Sequence, residues 1–121
     1  RMMLEEQVFL QAQALAGTLE ESQEELLRAM CTASAEALAA RLKEGLTPED
    51  CESVFVLAAG LYALAGFRET EESQSVQQLR AGDLTIQQDS SGVKTQAEGL
   101  RRQARELMAP YMKDSFAFTG V

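Results

Sequence analysis

Histidine and tryptophan are both absent from this chain of 121 residues. The missing histidine excludes the commonest general base, the commonest metal ligand and the usual partner of a nucleophilic serine or cysteine. The acidic residues cluster in short runs such as EESQEE, ETEE and PED, which are typical of helix caps and solvated helix faces. Acid–base catalysis needs carboxylates in a water-poor pocket with separated pKa values. We therefore expect no catalytic residues, no cofactor and no metal site, which leaves a small enzyme subunit as the least favoured class.

Cysteine is scarce, with only Cys31 and Cys51 in the chain. They lack CxxC spacing, and two thiols are too few for a zinc site. Both lie inside apolar helical patterns, which favours buried free thiols over a disulfide. Free thiols suit a reducing cytoplasm.

Long apolar runs are also missing. The longest uncharged stretch, residues 53–67, has about fifteen residues and includes two glycines, whereas a membrane-spanning helix needs about twenty. The first six residues reach acidic side chains at once and lack the apolar run of a signal peptide. We therefore expect no membrane partner, and we expect residues 53–67 to form a central core helix.

Positive charge is in short supply, and the net charge is −8. This balance argues against a protein that grips nucleic-acid phosphates. The charge is unevenly distributed, because residues 1–72 carry 14 acidic and 5 basic residues while residues 73–121 carry 5 acidic and 6 basic residues. Opposite charges would let one face of a subunit attract a different face of the next. Solvated helix faces that differ in charge are the alternative interpretation.

The residues that are present predict a single, mainly α domain over residues 1–121, since 45% apolar and 25% charged residues are ordinary globular values. Apolar periodicity predicts four helices, at about 3–16, 20–44, 48–66 and 95–112.

Capping signals set the boundaries of these helices. Gly17 stops the first helix, and Thr47 followed by Pro48 starts the third. Three pairs have the spacing of a capping box: Thr18 with Glu21, Ser22 with Glu25, and Thr95 with Glu98.

Between the third and fourth helices the apolar period changes. Leu84 and Ile86 alternate with polar residues after a turn at 81–83, which predicts an inserted β-hairpin over about 75–88. A lone two-stranded ribbon is marginally stable in water, so the hairpin would lie on its own helices or pair with a neighbouring molecule. Residues 114–121 are expected to form an extended C-terminal arm. Its two phenylalanines need cover, either from their own core or from another subunit.

In the predicted fourth helix, Ala97, Leu100, Ala104, Leu107 and Tyr111 recur at helical spacing and predict a seam that faces the core. A small basic cluster beside this seam is either a solvated face or a surface for an acidic patch on a partner. Together, the hairpin, the arm and the basic cluster form our candidate self-assembly interface: Val76, Leu79, Leu84, Ile86, Phe116, Phe118, Arg101, Arg102 and Arg105.

The order of these features resembles the small head–tail connector proteins, or head-completion adaptors, of tailed bacteriophages and prophages. The residues that carry the resemblance cover about 20–121 and are the segments LTPED (46–50), GLY (60–62), GDLTI (82–86), APY (109–111) and FAFTGV (116–121).

The resemblance implies a ring of identical subunits between the portal and the tail-completion proteins, with DNA passing through the lumen without specific binding. It also implies a bacterial cytoplasmic location during assembly and then a place in the virion. The alternative from a different class is an acidic helical partner-binding module, such as a secretion chaperone or a regulatory protein, that acts as a monomer or dimer.

Overall fold

A computed structural model of the protein describes residues 2–81 and 91–113, with side chains placed for 2–75 and 92–113. Within these ranges the chain is mainly helical, as predicted. The four α-helices are α1 (Leu4–Ala16), α2 (Glu21–Ala39), α3 (Glu52–Ala81) and α4 (Ser91–Met108). Short 3-10 turns at Pro48–Cys51 and Ala109–Tyr111 lead into α3 and out of α4.

The boundaries of α1 and the start of α3 follow the predicted signals. The backbone of Gly17 has φ +89°, a conformation that other residues rarely adopt, and its N–H donates to the Gln13 carbonyl at 3.0 Å. Thr47 precedes the turn that opens α3, and its N–H donates to the Asp50 carboxylate at 2.8 Å. Proline follows it, as expected for the first helical position.

The start of α2 differs from both predicted capping boxes. Glu20 is the capping residue, and its backbone N–H donates to the Gln23 side chain at 2.8 Å. The helix ends at Ala39, before the predicted end at 44, and a turn leads to Gly45 at φ +87°. The predicted box that begins at Thr95 is also wrong, because α4 begins at Ser91 and Thr95 lies inside it.

The predicted end of the third helix at Gly66 is wrong, since α3 continues for thirty residues to Ala81. Residues 68–81 are rich in arginine, glutamate and glutamine, which favour helix. Arg68 and Glu71 form an ion pair one turn apart, at 3.6 Å. Residues 75–81 are therefore helical, and the first strand of the predicted hairpin is wrong. Residues 82–88, which include the predicted turn and second strand, lie outside the described residues, as does the predicted arm at 114–121.

Helix α3 is the central element, and α1, α2 and α4 each pack against it. Its Phe55 and Phe67 are fully buried, together with small residues such as Ala58, Ala59 and Ala63 that let neighbouring helices approach. By length and composition, Pro48–Ser75 is apolar enough to cross a membrane, but most of its apolar window is buried inside this fold. Burial of that kind is what a core helix requires.

Gly60 lies at a close approach between α1 and α3. A Cβ atom at this position would lie 3.3 Å from the Gln11 Cγ and 3.5 Å from the Ala12 backbone nitrogen. The glycine costs about 1 kcal/mol of helix propensity relative to alanine, and the contact with α1 offsets that cost. The close approach of another helix that the interior glycine suggests is confirmed.

The seam predicted on α4 is confirmed. Ala97 and Ala104 are buried, and Leu100, Leu107 and Tyr111 are partly buried against the core.

The end of α4 returns to the turn after α2. Lys43 donates its N–H to the Tyr111 carbonyl at 2.9 Å, and Lys113 donates its N–H to the Arg41 carbonyl at 3.0 Å, around an antiparallel bridge between Leu42 and Met112.

Candidate functional site: an arginine-lined groove

A cleft of about 470 Å³ runs between α2 and α4, over the surface of α3. We call it the arginine-lined groove. It is lined on α2 and the following turn by Met30, Ala33, Ser34, Ala37, Leu38 and Arg41, on α3 by Tyr62 and Gly66, and on α4 by Arg101 and Arg105. The walls are thus apolar with small side chains, and the charged groups of the lining are all cationic. Such a surface suits an apolar segment that carries negative charge.

The predicted basic cluster is divided by the helix geometry. Arg101 and Arg105 are four residues apart and share the face of α4 that borders the groove. Arg102 is exposed and does not line it. Arg41 joins the groove from the turn after α2, a position that sequence analysis missed. No periodic signal could have linked Arg41 to Arg101, because the two lie sixty residues apart in the chain.

Arg101 is held in place by two carboxylates. Both of its terminal nitrogens bond the Glu69 carboxylate on α3, and Nη1 also bonds Glu98 Oε1 at 2.8 Å. The hydrogen bond from Arg101 is the main reason that the pKa of Glu69 falls below its usual value, and the same bond raises the pKa of Arg101. Planar two-pronged contacts of this kind are among the strongest ionic hydrogen bonds. The pair therefore fixes α4 on α3 and sets the groove wall.

Tyr62 lies half-buried on the floor of the groove. Burial raises the pKa of its phenol, while the positive charges of Arg105, Arg41 and Arg101 act in the opposite direction. The three arginines thus act on the tyrosine in the same direction, and no carboxylate is among the residues that line the groove.

The remaining predicted interface residues fall where the structure places no side chains. Val76 and Leu79 lie on the C-terminal part of α3, beyond the side chains that are placed. Leu84, Ile86, Phe116 and Phe118 lie outside the described residues.

The thiols offer little nucleophilic chemistry. Cys31 and Cys51 are both free and buried, as the sequence predicted. Burial raises the pKa of Cys31 to about 11 and also raises that of Cys51. A thiol with a raised pKa is mostly protonated at neutral pH and is a poor nucleophile. Among the described residues, no group of three or more cysteine, aspartate or glutamate side chains is placed to hold a metal ion.

Comparisons with known proteins find no matching family model, no significantly similar curated protein and no significantly similar solved structure. The groove and the distribution of charge therefore carry the functional argument.

The Glu69–Arg101 pair predicts a pH-dependent contribution to stability. We expect Arg101→Met to lower the free energy of unfolding by about 1–2 kcal/mol at pH 7. Because the folded pKa of Glu69 is depressed, the contribution is complete above the unfolded pKa of about 4.3 and is lost as the pH falls through the folded value. Urea titrations of both proteins from pH 7 to pH 3 should show the difference shrinking. The control Glu98→Gln, on a side chain that is 64% exposed, should change stability by less than about 0.5 kcal/mol. A difference that stays constant down to pH 3 would contradict this role for Glu69.

Proposed function

We propose that the protein is a structural, non-catalytic component that assembles with copies of itself into a ring, as a head–tail connector of the tailed-bacteriophage type. The carrying observation is the difference in charge among the helices that pack on α3. Helices α1 and α2 contain six acidic residues and one basic residue, whereas α4 contains two acidic and four basic residues. Each subunit therefore has a net acidic and a net basic surface on different helices.

Charge separation of this kind supports a head-to-tail interface. In a ring, one surface of each subunit meets a different surface of the next, so the two surfaces must be complementary. Arg102 is exposed on α4 and is free of the groove lining, while Glu21 and Glu25 are exposed at the start of α2. Contacts between these surfaces would be salt-dependent, because exposed charges are screened by ions.

The partners in this proposal are the portal and the tail-completion proteins, and the locations are the bacterial cytoplasm during assembly and then the virion. DNA would pass through the lumen. A net charge of −8 supports passage without tight binding, because an acidic wall offers few counter-charges to phosphates.

The arginine-lined groove supports a second candidate, the acidic helical module that binds one partner as a monomer or dimer. An apolar cleft bordered by cations is a suitable receptor for an acidic amphipathic segment.

Light scattering after size exclusion, over a hundredfold range of concentration and at low and high salt, separates the two functions. We expect a closed oligomer that forms with rising concentration and weakens at high salt. Arg102→Glu should raise the midpoint concentration of assembly about tenfold, since like charges across an interface cost more than 1 kcal/mol. Lys43→Glu alters the net charge equally at an exposed site in the turn after α2 and should have a smaller effect. A monomer under every condition would overturn self-driven assembly and favour the partner-binding module.

A further inference from the structure

The exposed large apolar side chains of the described residues are confined to one part of the fold. They are Met2, Met3, Leu10 and Leu15, and all of them lie on α1 or just before it. Met3 and Leu10 are seven residues apart, or about two helical turns, so they share one face. Ala14 lies one turn further along that face and is also exposed. Met3, Leu10 and Ala14 form an apolar surface on the outside of α1, which we call the α1 strip.

The α1 strip carries no charge, although the protein has a net charge of −8. Its surroundings are acidic, because α1 exposes Glu5 and the adjacent helix α2 exposes Glu21 and Glu25. Acidic copies of one protein repel each other least where their surfaces are uncharged. The best match for such a strip is a surface that is apolar in its middle and cationic at its edge.

The arginine-lined groove has those properties. Ala33 and Ala37 are exposed on its α2 wall, and Gly66 lies on α3 between the walls. These small residues leave room for larger side chains from a partner. Arg101 is already held by carboxylates on α3 and α4, so it contributes to the wall and not to the attraction of an acidic partner. Arg105 is exposed at the edge of the groove and supplies positive charge there.

The strip and the groove lie on opposite sides of α2. Arg28 faces α1, because it pairs with Glu6 at 2.9 Å and its guanidinium lies 3.9 Å from the centre of the Phe9 ring. Ala37, which lines the groove, is nine residues from Arg28, or about two and a half helical turns. A folded subunit therefore cannot place its own α1 strip in its own groove. It can offer the strip to one copy and receive the strip of another, which is the arrangement that generates rings.

The lengths of the two surfaces agree. Met3 and Leu10 are separated by seven residues, or about 10 Å along the helix axis. The α2 wall of the groove between Met30 and Leu38 spans eight residues, or about 12 Å. Both apolar side chains of the strip can therefore contact the same wall at once.

We propose that the α1 strip of one subunit docks in the arginine-lined groove of the next. Leu10 packs against Ala33 and Ala37, and Arg105 at the edge of the groove attracts the acidic surroundings of the strip. This inference rests on the proposed function and deepens it, because it assigns the two surfaces that meet between neighbouring subunits.

Leu10→Glu tests the strip by light scattering after size exclusion. A charge at the centre of the contact should raise the midpoint concentration of assembly about thirtyfold or more. Leu15→Glu is the matched control, because Leu15 is 44% exposed against 43% for Leu10 but lies about 140° around α1 from it. The control should change the midpoint by less than about threefold, and circular dichroism should show wild-type helical content in both variants. Equal midpoints for the two variants would overturn the proposal.

Mixing of two variants tests whether the strip meets the groove. Leu10→Glu keeps an intact groove, whereas Ala37→Glu, at an exposed site on the groove wall, keeps an intact strip. We expect each variant alone to be monomeric at the concentration at which the wild-type protein assembles. An equal mixture should form a dimer that grows no further, because only one contact can form between the two variants. A mixture that stays monomeric, or assembly of Ala37→Glu alone, would overturn the proposal.

The wild-type protein in the same measurements separates this inference from the proposed function. Wild-type oligomers that persist unchanged in Leu10→Glu would overturn the docking of the strip and leave a ring formed through other surfaces. A wild-type protein that is monomeric under every condition would overturn ring assembly and this inference together.

Discussion

Replacement of Phe67 by alanine is expected to lower the free energy of unfolding by about 3–5 kcal/mol. Phe67 lies on α3 with none of its surface exposed, and it is one of the largest fully buried side chains of the described residues. Its loss removes apolar burial and leaves a cavity between the helices that surround α3. A loss of this size is a large fraction of the 5–15 kcal/mol that is typical of a small domain.

Urea unfolding followed by circular dichroism measures this loss. Leu10→Ala is the matched control, because Leu10 is 43% exposed on α1 and its truncation should cost less than about 1 kcal/mol. If the two variants lost equal stability, Phe67 would not occupy the centre of the core.

The second large effect is expected at Gly60, where α1 packs closely on α3. We expect Gly60→Leu to destabilise the protein by about 1–3 kcal/mol, because the new side chain would collide with the backbone near Ala12. Gly99→Leu is the matched control, since a Cβ at Gly99 on α4 meets no atom within 4 Å. That substitution should stabilise the protein by up to about 1 kcal/mol, through helix propensity alone.

Thermal unfolding of both leucine variants tests this contrast. A neutral Gly60→Leu would mean that α1 moves away from α3 at little cost. A destabilised Gly99→Leu would mean that the face of α4 around Gly99 is covered.

Capping residues predicted the helix ends that depend only on nearby residues in the sequence. Gly17 and the Thr47–Pro48 pair act within a few residues, so the sequence was sufficient for them. The central place of α3 was also predictable, because apolar residues occupy nearly all of its sides. Gly66 gave the wrong end for α3 because a glycine inside a helix looks the same in the sequence as one that stops it. In the fold it remains helical, and a Cβ there would lie 3.2 Å from the Met30 Sδ.

The predicted hairpin failed for a related reason. Leu84 and Ile86 alternate with polar residues, but the preceding residues 75–81 favour helix and extend α3 by continuous propagation. Alternation over four residues is a short signal beside a thirty-residue helix.

The candidate site was predicted only in part. Arg101 and Arg105 share one helix, whereas Arg41 and Tyr62 join them through tertiary packing, which a single sequence does not encode as a pattern.

The pairing of Lys113 with the turn after α2 constrains the order in which a newly made subunit becomes complete. Lys113 and Ala40, which it contacts, are 73 residues apart. The ribosome must therefore synthesise α3 and α4 before this contact can form. Helices α1 to α3 emerge first and can already pack together. The arginines of α4 are synthesised last, and the groove lacks one of its walls until then. A chain truncated before α4 therefore presents neither the groove nor the basic surface, so that incompletely translated subunits are excluded from any assembly that uses them.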